Sequence, residues 1–149
     1  MKKCSGGGVM PSDPYLISIG NNVIVAAGVE FITHDIFYHM FNNNSDYSSI
    51  EKFYPYFDKI CIEDNVCIGG FSRIMPGVTI HSNSIIAGGS VVTKDVPHGC
   101  IVGGNPAKII GKTNELVNKR LNSMTHFTIS DDMETIVKHF WNDEKSDSQ

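Results

Sequence analysis

A strict six-residue period is the feature that most restricts how this chain can fold. An aliphatic β-branched residue returns at every sixth position from residue 62, and a second series, four residues later, contains only valine and serine. The first series is Ile62, Ile68, Ile74, Ile80, Ile86 and Val92, and the second is Val66, Ser72, Val78, Ser84, Ser90 and Val96. The same spacing occurs earlier, at Ile19, Val25 and Phe31. A period of six fits neither a helical turn nor the alternation of a long strand.

Short strands joined by tight corners account for such a period. Each hexad forms one flat face, and three faces close a triangular coil of about 18 residues. Successive coils stack at the separation of neighbouring strands, roughly 4.8 Å. Residues 17–34 supply one coil and residues 60–97 two more. A β-sandwich would instead space its strands by about 8–12 residues. The chain is therefore predicted to be an all-β repeat, a parallel β-helix.

The repeat domain is predicted to span residues 15–111. The period stops inside it at a loop excursion, residues 35–59, and resumes afterwards. Beyond the repeat the apolar residues take helical spacing, which predicts a C-terminal extension of α-helices within residues 113–141. The polar residues 142–149 are predicted to be disordered.

Composition limits the classes of function. The chain has 149 residues, enough for one domain with a core, and a formal net charge of −4. We do not expect it to bind nucleic acid, because dedicated nucleic-acid binders carry an excess of positive charge. It has no run of about 18 apolar residues and no apolar segment after its first lysines, so we expect neither a membrane span nor a signal peptide. The protein is predicted to be cytoplasmic, with its four cysteines as free thiols.

A histidine stands where the excursion begins. His34 lies at a corner of the repeat, and residues 35–59 hold 8 of the 14 aromatic residues of the chain. Loops on a rigid scaffold often carry binding residues, so this loop could form an acceptor pocket beside His34. The rings could also pin the loop to its own or a neighbouring prism, and we favour that interpretation for most of them.

Three segments together resemble the hexapeptide-repeat acyltransferases. They are IEDNVCIGGFSRIMPGVTI at 62–80, IAGGSVVTKDVP at 86–97 and VGGNPAKII at 102–110, all following the histidine and the loop. The likeness is to galactoside and maltose O-acetyltransferases and to xenobiotic acetyltransferases. It implies a left-handed β-helix, although crossover connections are normally right-handed. It also implies a homotrimer with active sites between neighbouring prisms and acetyl-CoA lying along the groove.

The resemblance implies that His34 is the catalytic residue. An imidazole, with an unperturbed pKa of about 6.5, suits the removal of a proton from a hydroxyl that attacks a thioester. Asp13 aligns with an acidic acceptor-binding residue of the family, and Asp35 is also expected to bind the acceptor substrate. Asp35 or a backbone carbonyl is expected to orient the His34 ring, with a turn-forming role as the alternative for Asp35.

The cofactor-binding positions of the family match five residues here. They are Gly70, Gly88, Thr93, Lys94 and Lys108. Glycine lets a ligand approach the backbone closely. Independently of the resemblance, residues 94–120 carry five cations against two carboxylates, a balance that favours a phosphate-rich ligand. The tryptophan that the family has near the groove is Cys67 here, and most acceptor-binding positions are unmatched.

The predicted function is acetyl transfer from acetyl-CoA to a hydroxyl of a sugar or polysaccharide precursor, with His34 as general base and no metal. Transfer to the amine of an amino sugar or an antibiotic stays open. The spacing of His34 and His39 raises a zinc alternative, because β-helix carbonic anhydrases use an H-x4-H pair and a third histidine. A scaffold that has lost catalysis is a further alternative.

Overall fold

In a computed structural model, the repeat forms a three-sided parallel β-helix and two longer α-helices follow it in the chain. The structure describes residues 4–6, 13–124, 127, 128 and 130–141. The strands are β1 Cys4–Gly6, β2 Ile17–Ile19, β3 Val23–Val25, β4 Glu30–Phe31, β5 Ile60–Ile62, β6 Cys67–Ile68, β7 Arg73–Ile74, β8 Thr79–Ile80, β9 Ile85–Ile86, β10 Val91–Val92, β11 Cys100–Gly103 and β12 Lys108–Lys112. The helices are α1 Tyr38–Asn42, α2 Thr113–Asn122 and α3 Met133–Trp141, with 3-10 turns at Pro14–Leu16 and Ser45–Tyr47.

Three sheets form the faces of the prism. Face A has the order β1, β3, β6, β9, β11, with β12 added antiparallel; face B is β4, β7, β10; face C is β2, β5, β8. Coil 1 contains β2–β4, coil 2 β5–β7 and coil 3 β8–β10. Paired residues are 18 positions apart between coils 2 and 3, as in Ile68 with Ile86. They are 43 apart between coils 1 and 2, as in Val25 with Ile68, and the difference equals the 25 residues of 35–59.

Both periodic series point into the prism. All twelve side chains of the two series between residues 62 and 96 have exposed fractions of 2% or less. Burial of one aliphatic side chain of this size stabilises a fold by about 1.5–3 kcal/mol, so the stacked hexads supply the core. The predicted parallel β-helix is confirmed.

The buried serines of the second series are satisfied at the corners. The Ser72 hydroxyl donates to the Gly69 carbonyl at 2.8 Å, and the Ser84 hydroxyl donates to the Pro97 carbonyl at 3.0 Å. Ser90 donates in the same way to Ala87. Because a buried hydroxyl without a partner is costly, these local bonds explain why serine can alternate with valine there.

Residues with positive φ turn all three coils at two edges of the prism, and Gly77, with φ of 82°, turns coil 2 at the third. Between faces C and A they are Asn22, Asn65 and Asn83, with φ of 53°, 58° and 60°. Asparagine is one of the few non-glycine residues that tolerates this conformation well. Between faces A and B the equivalent residues of coils 1 to 3 are Gly28, Phe71 and Gly89, with φ of 72°, 58° and 71°. An aromatic residue therefore occupies one of these corner positions.

The chain divides near residue 117 into two compact units, and the helical spacing after the repeat is confirmed by α2 and α3. The Asp132 carboxylate accepts from the backbone N–H of Thr135 at 3.0 Å and from its hydroxyl at 2.8 Å, and these bonds lower the pKa of Asp132. Within the described residues, the helices are too short or too polar to cross a bilayer. Residues 142–149, predicted to be disordered, lie outside the described part of the chain.

Candidate active site

The edge at which the strands of face B end carries His34. His34 lies shortly after β4, Met75 and Pro76 follow β7, and Thr93 and Lys94 follow β10. These three segments stack one coil upon the next, because β4, β7 and β10 pair in parallel. We call them the histidine edge. At the spacing of stacked strands, two coils correspond to roughly 10 Å along the prism axis.

A buried carboxylate contacts the inner nitrogen of the His34 ring. The Nδ1 atom lies 3.3 Å from Oδ2 of Asp13, which directly precedes the 3-10 turn Pro14–Leu16. The Asp13 carboxylate also accepts a hydrogen bond from the Thr33 hydroxyl. The His34 side chain is 35% exposed and that of Asp13 only 6%. A carboxylate at Nδ1 favours the tautomer with the proton there, which leaves the Nε2 lone pair free to accept a proton.

Asp13 therefore takes the orienting position for which Asp35 or a backbone carbonyl was expected. The Asp35 Oδ1 atom instead accepts from the backbone N–H of Phe37 at 3.1 Å, which is the turn-forming role held as its alternative. No local pattern links Asp13 to His34, since 21 positions separate them. The one signal in the sequence was the alignment of Asp13 with an acidic residue of the resembling family.

The excursion returns to the corner from which it departs. Phe57 pairs with His34 in an antiparallel bridge, and their ring centroids are 5.2 Å apart. The backbone N–H of Asp58 donates to the Thr33 carbonyl at 2.9 Å, and that of Asp35 donates to the Tyr56 carbonyl at 3.1 Å. The two ends of the loop are thus bonded to each other, and His34 is held from both sides.

An open pocket of about 340 Å³ lies beside His34. It is lined by Ile32, His34, Asp35, Ile36, Phe37, Tyr56, Met75 and Pro76. The Tyr56 hydroxyl donates to Asp58 Oδ2 at 2.8 Å, and this bond raises the pKa of Tyr56. A tyrosine with a raised pKa stays protonated at neutral pH, so Tyr56 does not compete with the imidazole as a base.

Other aromatic residues of the excursion pack on one another. The rings of Phe41, Tyr47 and Phe53 have centroid separations of 5.1 to 6.1 Å. The Asn42 side chain accepts from the Phe53 N–H at 2.8 Å and donates to the Phe53 carbonyl at 2.9 Å. These three rings pack within the loop. Phe57 contacts His34 at the corner, and Phe37 and Tyr56 line the His34 pocket, so the pinning role that we favoured for most of the rings stays a prediction.

Gly70 and Gly88 lie on a different edge, between faces A and B. We call residues 26–28, 69–71 and 87–89 the glycine edge. The Gly89 N–H donates to the Gly70 carbonyl at 2.8 Å, and a Cβ on Gly88 would lie 3.2 Å from that carbonyl oxygen. A Cβ on Gly70 would lie 3.0 Å from the Ala27 carbonyl oxygen. Close stacking of the coils therefore favours glycine at both positions whether or not a ligand binds.

Lys94 lies at the far end of the histidine edge, and Lys108 begins β12, which pairs with β11 of face A. Both line an open pocket of about 320 Å³. The Ala107 N–H donates to the Val91 carbonyl at 2.8 Å, which places the start of β12 beside β10. Thr93 is exposed and adjoins Lys94 in the chain. Two lysines against one carboxylate, that of Asp95, line this pocket, and the excess of positive charge suits a ligand that carries phosphates. The five predicted cofactor residues thus do not lie along one edge of the prism: Gly70 and Gly88 are on the glycine edge, and Thr93 and Lys94 are on the histidine edge.

His39, the residue behind the zinc alternative, is exposed in α1. The centroid of its ring lies 4.0 Å from that of Tyr38. Across the residues that the structure describes, histidine, cysteine, aspartate and glutamate form no group of three that could hold a metal ion. Cys61, Cys67 and Cys100 are free thiols.

The sequence is similar to those of several known proteins. Residues 62–94 match the family profile described as bacterial transferase hexapeptide, six repeats. The chain is 50% identical to protein CapG of Staphylococcus aureus over 99 residues, 66% of this chain and 54% of that protein. It is 37% identical to the galactoside O-acetyltransferase of Escherichia coli over 105 residues, 69% of this chain and 47% of that protein. The chain spans about half the length of these curated relatives.

Solved structures share the fold. A maltose O-acetyltransferase from Clostridium difficile superposes with a TM-score of 0.53 at 38% identity, covering 64% of this chain and 48% of that one. The polySia-specific acetyltransferase NeuO superposes with a TM-score of 0.53 at 35% identity, covering 65% of this chain and 42% of that one. The chain therefore contains a hexapeptide-repeat transferase domain and has the left-handed β-helix fold, as the resemblance implied.

Proposed function

We propose that the protein transfers an acetyl group from acetyl-CoA to a hydroxyl of a carbohydrate, with His34 as the general base. The observation that carries the proposal is the arrangement of the histidine edge. An imidazole oriented by Asp13 lies beside an open pocket at one end, and Lys94 and Lys108 line a second pocket at the other. Similarity to a galactoside and a maltose O-acetyltransferase supports a sugar hydroxyl as the acceptor.

The chemistry needs one base and no covalent enzyme intermediate. The acceptor hydroxyl gives its proton to Nε2 of His34 while its oxygen forms a bond to the thioester carbonyl carbon. The imidazolium that forms is stabilised by the Asp13 carboxylate at Nδ1. The C–S bond then breaks, and the departing thiolate of coenzyme A takes the proton from the imidazolium. The products are the O-acetylated sugar and the free thiol, and His34 is neutral again.

The pocket beside His34 suits the acceptor. Phe37 and Tyr56 offer aromatic surface to the apolar face of a sugar ring, and the Asp35 carboxylate can accept hydrogen bonds from its hydroxyls. We keep the predicted acceptor-binding role for Asp35. For Asp13, which is buried against Thr33 and His34, we propose that positioning the imidazole is its main role.

The division of the donor-binding residues supports a site shared by two copies of the chain. Within one chain, face B separates Gly70 and Gly88 from Thr93 and Lys94, whereas Lys108 starts β12 in the sheet of face A. In a ring of three copies with parallel prism axes, the histidine edge of one copy can face the glycine edge of the next at the same coil level. We propose such a homotrimer, with acetyl-CoA as a substrate in each of its three clefts. A cytoplasmic location is part of the proposal, since this donor is an intracellular thioester.

Thiol release from acetyl-CoA in the presence of a panel of sugars tests the function. We expect release to depend on a sugar that has free hydroxyls, and we expect a product that gains one acetyl group and loses it in mild base, as an ester does. Amino sugars in the same panel are the control, because an amide survives mild base. A product stable to base, or thiol release that is independent of any sugar, would contradict transfer to a hydroxyl.

A further inference from the structure

Phe71 adopts a backbone conformation that does not suit its side chain. Its φ is +58°, and the equivalent corner residues of coils 1 and 3 are Gly28 and Gly89. A bulky L-residue is strained at positive φ because its Cβ crowds the backbone. The core does not hold the side chain in place, since 78% of Phe71 is exposed. Strained residues of this kind cluster at ligand sites, where the side chain itself is needed.

The Phe71 ring reaches over the preceding coil. Two of its carbons lie 2.6 and 2.7 Å from the position that a Cβ on Gly28 would occupy, so the ring covers Gly28. Gly28 belongs to coil 1, the coil that ends at His34, whereas Lys94 follows coil 3. The exposed ring therefore lies at the level of the imidazole, about two coils from Lys94.

The position of the Phe71 ring along the prism axis determines which part of acetyl-CoA it can contact in the proposed function. If its phosphates lie at Lys94 and Lys108, its thioester lies towards coil 1, near His34. In a trimer with parallel axes each coil stays at one level in all copies, so the glycine edge of the neighbouring copy presents Phe71 to the thioester end. We infer that the Phe71 ring forms one wall of the acyl-group pocket and restricts the donor to short acyl chains. This inference rests on the proposed function.

Replacing Phe71 by glycine tests the inference, because glycine accepts positive φ without strain. We expect the ratio of kcat/KM for hexanoyl-CoA to kcat/KM for acetyl-CoA to rise at least about tenfold, the low end of what an apolar pocket discriminates. Phe71→Leu should give a smaller rise, since it leaves part of the wall. Asn65→Gly is the matched control: Asn65 has the same φ in the same coil but lies on another edge, and the ratio should not change.

The outcomes separate this inference from the proposed function. If the wild-type protein transfers acetyl and Phe71→Gly leaves the ratio unchanged, the inference is overturned and the function stands. If the wild-type protein transfers no acyl group to any sugar, the proposed function fails and the inference fails with it. Thermal melting shows whether Phe71→Gly folds. Should it unfold, the Phe71→Leu ratio decides: a rise supports the wall, and an unchanged ratio overturns it.

Discussion

Replacement of His34 by alanine is expected to reduce kcat for acetyl transfer at least about 100-fold, the low end for loss of a general base. The Nε2 lone pair is the proton acceptor in the proposed reaction, and the 340 Å³ pocket lies beside the ring. The side chain is 35% exposed at a corner, so its removal leaves the aliphatic core of the prism intact. Thiol release at saturating acetyl-CoA and sugar measures kcat, and circular dichroism checks the fold.

His39→Ala is the matched control for this substitution. His39 lies five residues further on, is exposed, and has its ring on Tyr38 rather than in the His34 pocket. We expect its rate to equal that of the wild-type protein. Equal rates for wild type and His34→Ala would remove the imidazole from the mechanism. A parallel loss of activity in both variants, together with stoichiometric bound zinc, would favour the zinc alternative instead.

Replacement of Asp13 by alanine is expected to lower kcat by about 10- to 100-fold with little change in KM for the sugar, as the loss of a partner that orients a catalytic group does. Without the carboxylate, Nδ1 loses the group that fixes its proton and stabilises the imidazolium. The substitution also leaves the buried Thr33 hydroxyl without this acceptor, a loss of about 1–3 kcal/mol that should lower the melting temperature.

Asp13→Asn separates the two effects. Its side-chain oxygen can still accept from Thr33, so stability should be largely retained, while the neutral amide stabilises the imidazolium less and kcat stays low. Steady-state kinetics with the sugar as the varied substrate provides the readout. If KM for the sugar rose and kcat stayed at the wild-type value, Asp13 would be an acceptor-binding residue and the positioning role would be contradicted.

The hexad period predicted the core well because position in the hexad fixes the direction of a side chain. Ile74 and Ser72 differ in chemistry, yet both are buried, since each stands at an inward position of its hexad. The same logic places His34 at a corner, where the period ends. The position of a residue within its coil also assigns Gly70 and Lys94 to different edges of the prism. The family resemblance, in contrast, groups these two residues as one ligand-binding set.

Two features could not be predicted from local pattern. The contact between Asp13 and His34 depends on how the segment before β2 packs against the first corner, and this is a tertiary property without a sequence period. The positive φ of Phe71 follows from its place in the stack with Gly28 and Gly89, but phenylalanine is not a residue associated with that conformation. The first feature lies in coil 1, where the proposed chemistry takes place, and the second belongs to coil 2, from which the Phe71 ring reaches over Gly28 of coil 1.

The central claim is that His34 of one copy works with the glycine edge of the next. Oligomers assembled from equal amounts of His34→Ala and Ala27→Trp chains test it, since the first lacks the imidazole and the second fills the cleft from an exposed position of the glycine edge. We predict that the mixture recovers roughly a quarter of wild-type activity, the random share of clefts with two intact halves. A mixture of His34→Ala and Asp13→Ala is the control and should recover nothing beyond the residual activity of Asp13→Ala, because both residues belong to the same chain's half-site. No recovery in oligomers that contain both His34→Ala and Ala27→Trp chains would contradict the shared site.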